Sequence, residues 1–326
     1  MTDTPNHVYV IQGMGLRDYD DCEAALAHVA RTTVLPFIGD EDELISRTRD
    51  ADALVTSASP ITRSVMSALE GLKTVVRTGV GYDVIDVPAA TELGVIVVNI
   101  PDLWIREVAN HALGLLLAWN RKIITLDRQV RSGAWKPGGP GATGSLHGET
   151  VGIVGLGNIG SAFARRVAAF ETTVIAHDPY VDDTRFAALG VERVSLEALA
   201  ERSDYISVHT LLNEETRHLI GEAFFGRMKP TAILINTSRG PVVDEKALAR
   251  ALQDKRLAGA ALDVFEQEPL PPESPLWAME NVLLTPHISG GTPVYMERAV
   301  ALFCDNLRRY LAGEPLRNVI DLHRGY

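Results

Sequence analysis

An α/β fold built on two parallel sheets is predicted for this chain of 326 residues, on three observations. Short β-branched runs alternate with helical patterns along most of the length, the rhythm of parallel strands joined by crossover helices. That rhythm breaks at a Gly- and Pro-rich stretch from Ser132 to Gly148 and then restarts. At the restart, between Thr150 and Asp178, a strand, a glycine turn, a helix, a second strand and an acid follow one another directly.

In the first half, strands are expected at 8–11, 33–35, 53–56, 74–77 and 95–98, with helices at 20–30, 41–49 and 62–69. These make one small flavodoxin-like α/β domain, residues 1–99. Trp104 to Arg131 reads as one long helix. Its first half is apolar on more than one side (Val108, Ala109, Ala112, Leu115), which suits burial between two bodies. The stretch 132–148 reads as a connection rather than a lid.

In the second half, six strands are expected, at 151–154, 173–177, 205–208, 232–236, 258–262 and 282–284. Helices are expected near 158–169, 184–189, 196–201, 222–227 and 244–253. The result is a doubly wound, Rossmann-like domain over residues 100–288. A last helix, 294–311, lies in a segment 289–326 free to return to the first domain. Two crossings between domains predict a hinge, with the reaction chamber in the cleft it closes.

The glycine turn carries the sharpest local signal. Val151 to Val154 is a buried-strand run, and Gly155, Gly157 and Gly160 form G-x-G-x-x-G. Gly155 permits the tight turn, Gly157 lets backbone approach a pyrophosphate, and Gly160 lets the helix pack on the strand. The N–H groups of the first helical residues, Asn158 and Ile159, then face the anion at the positive helix end. Asp178, 18 residues after Gly160, is placed to accept a ribose diol and to repel a 2'-phosphate. With no arginine adjacent in Pro179-Tyr180, NAD is expected in preference to NADP.

Composition narrows the rest. Apolar residues make up 46% and charged residues 22%, as in an ordinary globular protein, and the net charge of -11 disfavours nonspecific attraction to nucleic acid or an anionic membrane. The two cysteines, Cys22 and Cys304, indicate neither a disulfide framework nor a metal site. No window approaches a membrane span and no leader pattern opens the chain, so a cytoplasmic protein is expected.

Polar residues recur at strand ends, the ligand-binding side of a parallel sheet. Thr78-Gly-Val80-Gly81-Tyr-Asp83 follows the fourth strand, and Asn236-Thr237-Ser-Arg239-Gly240 follows a buried run. Asp263 and Glu268 stand five residues apart, and His287 follows the last strand. Taken singly, Arg239 fits a surface salt bridge as well as a ligand clamp, His287 a structural hydrogen bond, and Glu268 a solvated loop acid. The turn at 78–83 equally fits a simple strand ending.

Together these motifs closely resemble the D-isomer-specific 2-hydroxyacid dehydrogenases over nearly the whole chain. The resemblance rests on Gly79-Val-Gly-x-Asp83, the glycine triplet, Asp178-Pro179, Asn236-Thr-Ser-Arg-Gly240, Leu262-Asp-Val-Phe-Glu-x-Glu-Pro269 and Thr285-Pro-His287. It implies that Arg239 clamps a 2-oxoacid carboxylate and polarises its carbonyl, that His287 is the acid/base and that Glu268 orients it. Val80 and Gly81 match the substrate loop. NAD contacts are implied at His209, Thr210, Thr237, Asp263 and His287 besides the glycine turn and Asp178. The implied substrate is a small 2-oxoacid or 2-hydroxyacid, and the implied assembly is a homodimer joined through the nucleotide domains.

The chemistry asks for these residue types independently. A guanidinium fork matches a flat, anionic 2-oxoacid and stays charged. Reduction of the ketone leaves an alkoxide that must be protonated, a task suited to histidine, and a carboxylate on the other ring nitrogen favours imidazolium. The chain departs from the family pattern at Asp83-Val84, at His209 without a following proline, at Glu171 and at Asn110, which marks a divergent member. A nucleotide-sensing, corepressor-like protein of the same fold is the competing expectation.

Overall fold

The computed structural model of the chain describes residues 6–12, 26–27, 30–136, 143–292 and 295–320. They fall into two compact units, Met1–Trp104 with Thr292–Tyr326, and Ile105–Gly291. The expected helix at 20–30 lies almost wholly outside the described residues.

Among the described residues the first unit carries five parallel strands: β1 (His7–Ile11), β2 (Arg31–Leu35), β3 (Ala53–Thr56), β4 (Thr74–Arg77) and β5 (Ile96–Val98). Their order, β2-β1-β3-β4-β5, is that of a flavodoxin-like sheet. Because side chains alternate across a pleated strand, each strand feeds both faces. Tyr9, Ile11, Leu54, Val75 and Val97 enter one core with Leu44, Val65 and Ala89. Val8, Val10, Ala53, Val55, Val76 and Val98 enter the other, closed by Phe303, Cys304 and Leu307 of the helix Tyr295–Leu311. Polar caps fix the short helices on the first face: Asp40, Thr62 and Asp86 each accept a hydrogen bond from the N–H three residues on.

Among the described residues the second unit carries seven parallel strands rather than the expected six. They are β6 (Thr150–Val154), β7 (Thr173–His177), β8 (Glu192–Arg193), β9 (Tyr205–Val208), β10 (Ile233–Asn236), β11 (Gly259–Leu262) and β12 (Val282–Leu284), in the order β12-β11-β10-β9-β6-β7-β8. The additional strand, β8, is two exposed polar residues paired with Ile175 and Ala176, and so lacks the apolar run that reveals a strand in sequence. The order reverses between β6 and β9, which is where doubly wound sheets bind ligands.

Both faces of this sheet are covered. Val151, Ile153, Val174, Ala176, Ile233 and Ile235 pack with Phe163, Leu115 and Leu116. Val154, Ile206, Val208, Leu234 and Leu262 pack with Leu199, Phe225 and Leu248 on the opposite side. Burial of Phe163, which is fully enclosed, contributes on the order of 2–3 kcal/mol.

The predicted single helix 104–131 is two helices, Ile105–Asn120 and Ile123–Arg131. Lys122 between them is left-handed at φ 51°, and the end of the first helix is tied to the following loop by Gly144 N–H to Asn120 O at 2.9 Å. The first helix buries Ala109, Ala112, Leu115 and Leu116 on the seven-stranded sheet; the second buries nothing. Among the described residues, no helix is long and apolar enough to cross a membrane, and no group of three metal-ligating side chains gathers.

Candidate active site

The glycine turn stands at the reversal point, between β6 and its neighbours β7 and β9. Gly155 has φ +90°, a conformation open to glycine, and a Cβ on it would lie 2.8 Å from Thr210 N. A Cβ on Gly160 would lie 2.0 Å from the Gly155 carbonyl oxygen, so the helix Asn158–Ala168 rests directly on the turn. Gly160→Ala is therefore expected to lower the stability of this unit by about 2 kcal/mol or more, read as a fall in the denaturant midpoint. A wild-type midpoint in the variant would contradict that contact.

A Cβ on Gly157, by contrast, would meet open space, and no side chain caps the helix there. The first N–H groups of such a helix lack intrahelical acceptors, so Gly157, Asn158 and Ile159 present donors where an anion can approach. Asp178, just past β7, accepts from Leu156 N–H at 2.7 Å, Tyr180 N–H at 2.9 Å and Val181 N–H at 3.1 Å. Its carboxylate is thereby fixed beside the turn, with lone pairs left for a diol. Sequence reasoning missed Arg193, which reaches Asp178 from β8: its guanidinium donates to the Asp178 carbonyl at 3.0 Å and pairs with Asp183 at 2.6 Å.

Two buried polar atoms at strand ends have no partner among the described residues, Thr237 Oγ1 and His209 Nδ1. Thr237 is only 5% exposed, so an orphaned hydroxyl there is costly unless a ligand satisfies it. His209 places Nε2 2.9 Å from Ser207 Oγ and tilts its ring over Phe163. Burial pushes its pKa down to about 3, so it is neutral at working pH. An open glycine cradle, a fixed acid and two orphaned polar atoms at the carboxyl end of one sheet fit a dinucleotide.

The sign of the His209 effect on stability follows. Its folded pKa lies below the unfolded value near 6.5, so the unfolded chain binds the extra proton and stability falls as pH drops from about 6.5 towards 3. His209→Gln should flatten that limb of a denaturant-midpoint curve relative to wild type. Superimposable limbs would contradict the assignment.

The chemistry-bearing side chains come from three adjacent strands, β10, β11 and β12. After β10, Asn236 Oδ1 accepts from the N–H and hydroxyl of Ser238, while its Nδ2 donates to the Arg239 carbonyl at 3.0 Å. This closed turn sets Arg239, half-buried, with its guanidinium also donating to the Ser238 carbonyl at 2.8 Å. Gly240 follows because a Cβ there would stand 1.9 Å from the Phe265 carbonyl group, so the loops after β10 and β11 are in direct contact.

Glu268 bends back so that Oε1 accepts from Phe265 N–H at 3.0 Å, and Oε2 takes His287 Nδ1 at 2.6 Å. An ionised carboxylate only accepts, so Nδ1 carries the proton and Nε2 is left for proton exchange. The imidazole is 45% exposed and the Glu268 side chain 32%. His287 itself is left-handed at φ 51°, and its N–H donates to the Asp263 carbonyl at 2.7 Å. Asp263 is fully buried; Oδ1 accepts from the Thr285 hydroxyl at 2.6 Å and Ile288 N–H at 3.0 Å, and Oδ2 from Ser289 N–H at 2.9 Å. Its carboxylate thus faces the His287 loop.

In the first unit, the turn after β4 holds Val80 and Gly81. Asn99 Nδ2 donates to the Val80 carbonyl at 2.8 Å and Ile100 N–H to that of Gly79 at 3.1 Å. The carbonyls are thus fixed on one side of the turn. Trp104 packs with Ile100, Leu103 and Leu302 in a small core, whereas Trp135 is 80% exposed.

A dinucleotide cradle at the reversal of a parallel sheet, with a histidine–carboxylate pair and an arginine along the same edge, defines the class of nicotinamide-dependent oxidoreductases of α/β architecture. Residues 113–289 match the model of the D-isomer specific 2-hydroxyacid dehydrogenase NAD binding domain. The chain is 43% identical over 282 residues to a glyoxylate reductase of Korarchaeum cryptofilum, covering 85% of each protein. It is 42% identical over 287 residues to D-3-phosphoglycerate dehydrogenase of Mycobacterium tuberculosis, covering 88% of this chain but 54% of that relative's length. Among solved structures, an NADPH-dependent glyoxylate/hydroxypyruvate reductase from Sinorhizobium meliloti, in complex with NADP and malonate, superposes with a TM-score of 0.87 at 32% identity, over 97% of both chains. The chain belongs to the D-isomer-specific 2-hydroxyacid dehydrogenase family, NAD(P)-dependent oxidoreductases acting on the CH–OH group of hydroxyacids.

Proposed function

We propose that this protein is a cytoplasmic, NAD-dependent reductase of small 2-oxoacids, reversible as a D-2-hydroxyacid dehydrogenase. The observation that carries the reading is the 2.6 Å pair of Glu268 and His287 at the same carboxyl end of the sheet as Arg239. The bound nicotinamide supplies or accepts the hydride. Arg239 takes the substrate carboxylate and the ketone oxygen in its fork and draws electron density from the carbonyl. The N–H groups of Val80 and Gly81 bind the same carboxylate. His287 Nε2 gives its proton to the C2 oxygen during reduction, and neutral His287 removes it during oxidation. Glu268 holds the ring and fixes the tautomer, with Nδ1 bound to its carboxylate and Nε2 turned to the substrate. Thr210, Thr237 and His209 complete the cofactor contacts, whereas Asp263, which has no solvent exposure, serves the site by holding the loop that carries His287.

The substrate is a small or moderately apolar acid rather than a phosphorylated one, since the 79–83 turn brings no lysine or arginine of its own. A panel of glyoxylate, pyruvate, hydroxypyruvate and phenylpyruvate with NADH tests this: at least one acid should drive NADH oxidation. Tight NADH binding without turnover on any acid would instead favour the nucleotide-sensing role, which draws no support from the relatives.

The preference for NAD rests on the fixed Asp178 carboxylate and on Arg193 being engaged by Asp183. Asp178→Asn should narrow the NADH-over-NADPH ratio of kcat/KM by about tenfold or more, since a like charge close to a 2'-phosphate costs at least about 1.4 kcal/mol. An unchanged ratio would place discrimination elsewhere.

A homodimer is proposed through the nucleotide unit. The helix Ile123–Arg131 buries none of its residues, and Ile123, Ile124 and Val130 are 51%, 39% and 49% exposed. Ile124→Glu with Val130→Glu should convert the species seen by light scattering from dimer to monomer; a monomeric wild type would end the proposal.

A further inference from the structure

His111 lies outside every role assigned above, yet it touches the network that holds the catalytic loop. It projects from the middle of the helix Ile105–Asn120 and places Nε2 3.1 Å from Thr285 Oγ1 and 3.6 Å from Asp263 Oδ1. The direction of these bonds is set by chemistry. Asp263 accepts at 2.6 Å, so the single Thr285 hydroxyl proton is spent on it, and Thr285 in turn accepts from His111. Nε2 of His111 therefore carries a proton.

The chain of bonds runs from His111 through Thr285 to a carboxylate with no solvent exposure. That carboxylate and its own backbone carbonyl receive three consecutive N–H groups, those of His287, Ile288 and Ser289. A buried carboxylate with too few donors would draw in water or swing away, and the loop anchored to it would follow. His287 has particular need of such an anchor, because a histidine at φ 51° sits in a sparsely populated region that persists only where its surroundings impose it.

We infer that His111 is a positioning residue for His287, acting through Thr285 and Asp263 to hold the imidazole in line with the C2 oxygen. The inference rests on the assignment of His287 as acid/base. It differs from the role of Glu268, which grips the ring; His111 secures the backbone that carries it.

The test uses the full chain with its best 2-oxoacid and NADH. His111→Ala should lower kcat by about tenfold, the equivalent of one hydrogen bond, with the KM for the acid and the dissociation constant for NADH changed less than threefold. His111→Gln, whose amide nitrogen can occupy the place of Nε2, should recover most of that loss. Thr285→Val should reproduce it, and the double variant His111→Ala/Thr285→Val should be no slower than the worse single variant. Unchanged kcat in His111→Ala would overturn the inference. So would a glutamine variant as slow as alanine, or a loss of NADH affinity in proportion to the loss of turnover. A parallel His287→Ala arm separates the two claims: if it leaves turnover intact the acid/base assignment fails, whereas if it alone is crippled only the role of His111 fails.

Discussion

His287→Ala is expected to lower turnover by about 10²–10⁴-fold while leaving NADH affinity and the KM of the 2-oxoacid close to wild type. In the proposed reaction His287 supplies its proton as negative charge gathers on the C2 oxygen, so its removal would weaken the transition state far more than the ground state. The structure gives this effect a geometric basis. Nδ1 is committed to Glu268 at 2.6 Å, so Nε2 is the nitrogen left to exchange the proton. His287→Asn should not restore activity, because its amide has no ionising proton to transfer. Steady-state rates, paired with a fluorescence titration of NADH, separate the two contributions. Wild-type turnover in the alanine variant would remove His287 from the mechanism.

Arg239→Ala is expected to act differently, raising the KM and lowering kcat together. In the role proposed for it the guanidinium binds the carboxylate in the ground state and bears on the carbonyl oxygen in the transition state, so both parameters would carry its loss. A charge-assisted hydrogen bond contributes about 1.5–3 kcal/mol, and two of them lost together imply a fall of about 10²-fold or more in kcat/KM. Arg239→Lys should recover only part, since an ammonium is a point charge and not a planar fork. The local structure supports the comparison between variants: the turn that sets Arg239 is closed by Asn236 and Ser238 and does not depend on the guanidinium reaching substrate. If KM rises and kcat stays constant, Arg239 binds the acid without polarising its carbonyl.

Much of this was legible in the sequence because the signals were physical and local. The buried run Val151–Val154 before three glycines could scarcely be anything but a strand entering a tight turn, and the structure finds each glycine where a side chain would collide or be strained, save Gly157, which opens on free space. What escaped had no such signature. The break at Lys122 contains neither glycine nor proline, and is made by a left-handed lysine together with a loop that returns to Asn120. Strand β8 is two polar residues at a sheet edge. The contact of His111 with Thr285 joins residues 174 positions apart, and only the packing of a helix on the sheet brings them together. Arg193 reaches Asp178 for the same reason, through a strand too short to be read.

If hydride passes to C2 of a 2-oxoacid while His287 delivers the proton, an isotopic label on the nicotinamide must follow it. Hydroxypyruvate reduced with NADH deuterated at nicotinamide C4, on the face the enzyme uses, should yield D-glycerate carrying one deuterium at C2, detected by mass spectrometry and resolved on a chiral column. The His287→Ala protein should form that labelled product at least about 10²-fold more slowly. Label absent from C2, the L enantiomer, or equal rates of labelling by both proteins would contradict the account.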